Sequence, residues 1–103
     1  MMQIQVEGVL PVALKALDGQ KEIKSKKIVM RQMTAIEYIQ AQASITDLQY
    51  IAISDLAIMT KLIDDDGIEH EITYDMLGNS SRANLNYLRG KRDELDAKEA
   101  AAE

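Results

Sequence analysis

The sequence predicts an α+β protein in which an N-terminal β-hairpin packs against three to four α-helices. Two observations lead to this fold class. Apolar and polar residues alternate along residues 3–30, as in paired strands, and helical spacing of apolar residues follows from residue 34 onward. The 103 residues, with a mass of 11.5 kDa, suffice for one domain. We expect that domain over residues 1–92, followed by a polar and frayed tail over residues 93–103.

The hairpin is predicted to turn at Asp18-Gly19, because this dipeptide favours two-residue turns between antiparallel strands. A strict pairing across the turn places Leu14 opposite Ile23. Farther from the turn, the same pairing would put the apolar residues on the other face of the sheet, so a bulge is expected. Pro11 is its predicted position, because proline lacks the N–H that a strand ladder requires.

Two capping sequences mark the helices that follow. Residues 34–37 match a capping box and open a helix over residues 35–42. Residues 46–49 match the same pattern and open the longest helix, expected over residues 47–63. The acidic turn that follows ends this helix.

The last third of the chain predicts a short strand and two more helices. Residues 68–72 are expected to be extended, and Thr73 is positioned to cap one helical turn that Gly78 ends. Ser80 or Ser81 can cap the last helix. The apolar stripe of that helix consists of Leu85, Leu88 and Leu95.

Charge is segregated along the chain, although the total is only −5. Residues 15–31 hold six basic and two acidic residues, a net +4, whereas residues 37–75 hold nine acidic residues and one lysine, a net −8. The acidic total disfavours a nucleic-acid binder driven by overall charge. The absence of cysteine excludes disulfides, thiol catalysis and thiolate zinc sites. No apolar run approaches the length of a membrane span, so the chain is expected to be soluble and intracellular.

No catalytic, cofactor-binding or metal-binding residue is predicted. Residues 64–67 resemble part of a calcium loop, but the alignment puts Leu62 and Thr73 at the two end ligand positions. His70, the only histidine, lies between two glutamates that point the opposite way in an extended segment. We therefore expect an acidic turn rather than a metal site, and no enzyme.

The helix over residues 47–63 carries the strongest candidate for a binding surface. Asp55 falls inside its core-facing arc and needs a cationic or hydrogen-bonding partner, for which Arg31 is the candidate in a buried ion pair. Without such a partner, Asp55 marks a place where the arc is split or faces a partner chain. Tyr50, Ile53 and Ala57 form a second apolar strip on the opposite side. This strip is either covered by other elements or serves as a surface for self-association or a client protein. The core-facing arc is predicted to comprise Leu48, Ile51, Ala52, Leu56, Met59, Leu62 and Ile63.

The order of these features resembles a known family. A basic hairpin is followed by residues 27–37, with the sequence KIVMRQMTAIE, then by a helix with an embedded aspartate and by residues 72–77, ITYDML. This arrangement, over about residues 9–90, resembles the small tail assembly chaperones of Mu-like and related long-tailed bacteriophages.

The resemblance implies a non-enzymatic role in the cytoplasm of a bacterial host. Members of that family bind the long helical tape measure protein before the tail tube forms around it. The tape measure and tail tube proteins are therefore the partners that the resemblance implies. The alternative is a small nucleic-acid-associated or regulatory protein that uses the basic hairpin, chiefly Lys24, Lys26 and Lys27.

Overall fold

The computed structural model describes residues 4–46 and 48–101, and it confirms an α+β fold that begins with a β-hairpin. Four strands form one antiparallel sheet in the order β1-β2-β3-β4. Within the described residues the chain also forms four helices. The elements in chain order are β1 (Gln5–Asp18), β2 (Lys21–Arg31), α1 (Ala35–Ala43), α2 (Ile51–Met59), β3 (Thr60–Ile63), β4 (Glu69–Glu71), α3 (Tyr74–Gly78) and α4 (Arg82–Ala101).

The sheet has one apolar and one polar face. Met30 of β2 pairs with Val6 on one side and Thr60 on the other, and all three are buried. The neighbouring position, Val29, is also buried but points to the opposite, mainly polar face, where it pairs with Glu7 and with the half-buried Lys61. Antiparallel sheets commonly have one face on the core and one in solvent. The core joins the apolar face to the helices through Leu10, Ile28, Met30, Leu56, Leu62, Leu88 and Leu95.

The hairpin turn lies one residue later than predicted. Its two central residues are Gly19 and Gln20, so Leu14 pairs with Ser25 and not with Ile23. Gly19 has a φ of +65°, while no other type of residue in the described chain has a positive φ. This combination fits a turn with glycine in its first central position, which a type II′ turn requires. The conformational freedom of glycine therefore determines the register.

The predicted bulge is confirmed, since the register shifts between Val9 and Leu14, around Pro11. Helix α4 supplies hydrogen bonds that the ladder lacks at this point. The fully buried Asn84 side chain accepts a bond from the Val12 N–H at 3.0 Å and donates one to the Val12 carbonyl at 3.0 Å. A single amide thus replaces a missing strand partner.

Helix α4 also approaches β1 closely at Gly8. The Val9 N–H donates to the Tyr87 hydroxyl at 2.9 Å. A Cβ at Gly8 would lie 2.3 Å from that hydroxyl oxygen, which is far inside van der Waals contact. Glycine is therefore required here for the contact with α4 and not for an unusual φ.

The first capping box forms as predicted. The Glu37 N–H donates to the Thr34 hydroxyl, and the Thr34 N–H donates to the Glu37 carboxylate at 2.9 Å. In the second motif, the Thr46 N–H donates to the Gln49 side chain at 3.3 Å, but the segment is a turn and not the start of a helix. The predicted helix start at Asp47 lies outside the described residues. Helix α2 begins at Ile51.

The predicted end of this helix at residue 63 was wrong. Residues 60–63 form β3, which pairs with β2 and buries Thr60 and Leu62 on the apolar face. An apolar run does not by itself distinguish a buried strand from the continuation of a helix. The free edge of β2 decides the outcome, because it provides a partner for backbone hydrogen bonds.

The C-terminal segment also differs from its prediction. Thr73 caps α3 as expected, and the Ser81 hydroxyl accepts a bond from the Ala83 N–H at the start of α4. Helix α4 then continues to Ala101 and buries Leu95 completely. Residues 93–101, predicted as a tail, therefore belong to α4, and Leu95 packs this part of the helix on the core.

Candidate partner-binding surface

Helix α1 exposes most of its apolar side chains. It buries only Ala41, while Ile36 and Ile39 are 69% and 66% exposed. These two isoleucines are three residues apart and share one face of the helix. The main packing partner of α1 is α2. The free face of α1 is thus apolar, although an isolated surface helix normally presents polar residues to water.

Helix α2 and the segment before it extend this apolar surface. Leu48 and Tyr50 are largely exposed, and Ile51 and Ile58 on α2 are about half exposed. Among the described residues, seven of the eleven exposed large hydrophobic side chains lie on these elements. Tyr38 does not share the face of α1 that carries Ile36 and Ile39. We call the other six the α1–α2 surface. They are Ile36, Ile39, Leu48, Tyr50, Ile51 and Ile58.

The predicted strip on α2 is divided by the structure. Tyr50 is 73% exposed, but Ile53 packs against the core and Ala57 is buried. The reason is α3, which packs on this side of α2 and brings Gly78 close to Ile53. The strip is therefore largely core.

The arc predicted to face the core is also divided. Leu56 and Met59 are buried as expected, but Leu48 and Ile51 are exposed. The prediction missed Ile36, Ile39 and Ile58 as surface residues. Ile36 and Ile39 are three residues apart in a helix with a recognisable N-cap, and this spacing could have predicted their shared face from the sequence.

A groove of about 290 Å³ borders this surface at Ile58. The side chains of Met33, Ile58 and Met59 form its apolar part. Its charged lining consists of Arg31, Glu37 and Lys61. Methionine side chains adapt to irregular shapes and are common at binding surfaces that accept varied partners. The groove can therefore accept an apolar side chain from a bound protein.

Arg31 and Asp55 do not form the predicted pair. Arg31 donates to both carboxylate oxygens of Glu69, at 2.5 and 2.7 Å, and to the Gln5 side chain at 3.0 Å. The pKa of Glu69 is lowered as a result, chiefly by the hydrogen bond from Arg31. Both side chains lie on the face of the sheet opposite the core, whereas α2 packs on the core face through Leu56.

Asp55 is half-buried, and its Oδ1 atom has no hydrogen-bond partner. Burial raises the pKa of Asp55 above its usual value, because removal from water disfavours the charged form. The positive charge of Arg92 on α4 acts in the opposite direction, but the two residues form no ion pair. Asp55 is thus an incompletely satisfied carboxylate on α2.

This raised pKa predicts a pH-dependent effect of Asp55→Asn. The folded state disfavours ionised Asp55, so the ionised carboxylate destabilises the protein. This destabilisation appears as the pH rises above 3.8, the pKa of Asp55 in the unfolded chain, and through its higher pKa in the folded protein. We expect Asp55→Asn to raise the free energy of unfolding at pH 7 by about 1 kcal/mol, and the gain to shrink below pH 3.8. Thermal unfolding from pH 3 to 7 measures it. The exposed Asp93→Asn is the control, and an equal gain in both variants would contradict the prediction.

The acidic turn after β3 is explained by local hydrogen bonding. One carboxylate oxygen of Asp64 accepts bonds from the N–H groups of Asp66 and Ile68, and the other lies 2.8 Å from His70 Nε2. These contacts, with His70 the largest cause, lower the pKa of Asp64. Gly67, with a φ of +81°, completes the turn. Among the described residues, no cluster of three or more metal-ligating side chains occurs.

Comparison of the chain with known protein families, with characterised proteins and with solved structures finds no match. In the described part of the chain, no helix is both long and apolar enough to cross a membrane. The α1–α2 surface, defined by geometry alone, is therefore the starting point for a functional proposal.

Proposed function

We propose that this protein is a non-enzymatic assembly chaperone that covers an apolar helical client through the α1–α2 surface. The observation that carries the proposal is α1, a capped helix that buries only Ala41 and exposes its isoleucines. A long apolar helix needs a temporary cover before it assembles, and an exposed helical face with adjacent methionines offers one.

The size of the surface supports this role. From their exposed fractions, the six residues expose on the order of 700 Å², at roughly 150–250 Å² for a fully exposed large side chain. The largest apolar patch of a typical monomer is about 300–600 Å². One partner of a standard protein interface contributes about 800 Å². The combined exposed area of the six residues is therefore comparable to one side of a protein interface.

The resemblance to phage tail assembly chaperones supplies the identity of the client. In this proposal the client is the tape measure protein of the same phage or prophage, the tail tube protein is the second partner, and both are met in the cytoplasm of the bacterial host. The chain would keep the client soluble until the tube forms.

Co-expression with the tape measure protein tests the proposal. We expect the native chain to increase the soluble fraction of the client several-fold and to co-purify with it. Ile39→Asp should abolish both effects, because a charge in the middle of the apolar face must be desolvated on binding. The stability of the variant should change by less than about 0.5 kcal/mol, since Ile39 is exposed.

Leu17→Asp is the matched control. Leu17 is 77% exposed but lies on the hairpin, away from α1 and α2 in the chain. It should leave client solubility unchanged. The proposal fails if the client is equally soluble without the chaperone, or if both variants behave like the native chain.

The alternative nucleic-acid role is weakened by the position of the basic hairpin. Lys21 and Lys24 line a cavity of about 300 Å³ together with the acidic residues 64–66. Lys15 is paired with Glu22 at 3.5 Å. The acidic turn would repel phosphates close to these lysines. Salt-dependent DNA or RNA binding that is lost when Lys24, Lys26 and Lys27 are changed to Glu would support the alternative.

A further inference from the structure

A single charged residue, Asp55, interrupts the half-exposed apolar face that Ile51 and Ile58 form on α2. Ile51, Asp55 and Ile58 occupy positions i, i+4 and i+7, which share one face of a helix over roughly 10 Å. The two isoleucines are about half exposed, and the carboxylate lies between them. A helix that docks on the two isoleucines must therefore also cover Asp55.

The carboxylate has unused hydrogen-bonding capacity. Within the described residues the carboxylate of Asp55 accepts no hydrogen bond, and its Oδ1 atom is shielded from solvent. Covering the other oxygen with an apolar side chain would remove its remaining water and leave a buried, unpaired charge, which is strongly unfavourable. A lysine or arginine on the incoming helix would instead form an ion pair with Asp55, so that neither charge is buried without a partner.

The charge around this face of α2 favours a cationic partner over a second copy of the chain. Arg31 and Lys61 line the groove beside Ile58, but they are paired with Glu69 and Glu71. No other lysine or arginine occurs in the sequence between them, and Glu37 adds a negative charge on α1. A two-fold dimer through this surface would place acidic residues of both copies against each other, because such an interface uses the same patch twice. A partner helix with a lysine or arginine is electrostatically complementary.

We propose that Asp55 is the anchor that selects clients, and that it binds one lysine or arginine carried on the apolar face of an amphipathic client helix. This inference rests on the proposed function and adds the chemistry of the partner. The isoleucines supply apolar contact, and the carboxylate discriminates between helices that are equally hydrophobic.

Three synthetic helical peptides test the anchor. They are 16-residue Leu/Ala helices that differ only at the centre of the apolar face, where they carry lysine, norleucine or glutamate. We expect the native protein to bind the lysine peptide at least tenfold more tightly than the norleucine peptide, measured by fluorescence anisotropy, and to bind the glutamate peptide most weakly. In Asp55→Asn the preference for lysine should fall below twofold.

The exposed Asp93→Asn should keep the full lysine preference and so controls for a general loss of negative charge. Asp55→Ser is a second test variant and should behave like Asp55→Asn. Arg92→Ala tests the alternative that Asp55 has its partner within the protein and not on a client helix. If Arg92 is its true partner, Arg92→Ala and Asp55→Asn will destabilise the protein non-additively and the peptides will bind alike, which overturns the proposal.

The peptides also separate this inference from the proposed function. Equal binding of the lysine and norleucine peptides by the native protein overturns the anchor, while the α1–α2 surface remains a client site. If no peptide binds at all, the anchor is likewise overturned, and co-expression with the tape measure protein then decides the proposed function independently.

Discussion

Replacing Leu95 by alanine is expected to lower the free energy of unfolding by about 2–5 kcal/mol, the usual cost of removing a fully buried leucine. Leu95 is 0% exposed and belongs to the same core as Leu88 and Met30. It lies among otherwise exposed residues of α4, in a segment whose composition alone is typical of a disordered end. Chemical denaturation monitored by circular dichroism measures the effect.

Leu48→Ala is the matched control, because Leu48 is 92% exposed and loses little contact with the protein. We expect a change of less than about 0.5 kcal/mol. A loss below 1 kcal/mol for Leu95→Ala would mean that the end of α4 does not pack on the core in solution. Truncation after residue 92 should then be tolerated, whereas the structure predicts that it abolishes folding.

Replacing Asn84 by alanine is expected to lower the free energy of unfolding by about 2–4 kcal/mol, since each stranded buried polar group costs roughly 1–3 kcal/mol. The substitution leaves both the N–H and the carbonyl of Val12 without their partner. Asn84→Asp keeps the acceptor for the N–H but sets a carboxylate against the carbonyl, so it should also destabilise the protein. Urea unfolding of the two variants tests both expectations.

Asn86→Ala is the control for the Asn84 result. Asn86 lies on the same helix and is exposed, and alanine is the better helix former. This variant should be neutral or slightly more stable than the native chain. Similar losses at both positions would show that helix propensity, and not the bridge to β1, accounts for the effect.

Features with local causes were predictable from the sequence. The capping box at Thr34, the cap at Thr73 and the bulge around Pro11 all depend on groups that are close together in the chain. The α+β class followed from the change of apolar periodicity after the hairpin. These signals require no knowledge of which elements pack together.

The candidate surface was only partly predictable. The sequence indicated that the middle of the chain holds more apolar surface than a small domain easily covers, and Tyr50 is indeed exposed. It named Ala57 as a candidate partner contact and placed Ile51 in the core-facing arc, whereas Ala57 is buried and Ile51 is exposed. A helix that is apolar all round has no preferred side of its own, so periodicity could not orient it.

The sequence by itself determined the N-terminal hairpin, the bulge around Pro11, the caps at Thr34 and Thr73, and the segregation of charge. The tertiary structure decided the end of α2, the partner of Arg31 and the burial of Leu95. The free edge of β2 draws residues 60–63 into the sheet, Glu69 meets Arg31 across the sheet, and the core accepts Leu95. Each outcome depends on groups distant in sequence, and their contact becomes favourable only when other elements have enclosed the same apolar space.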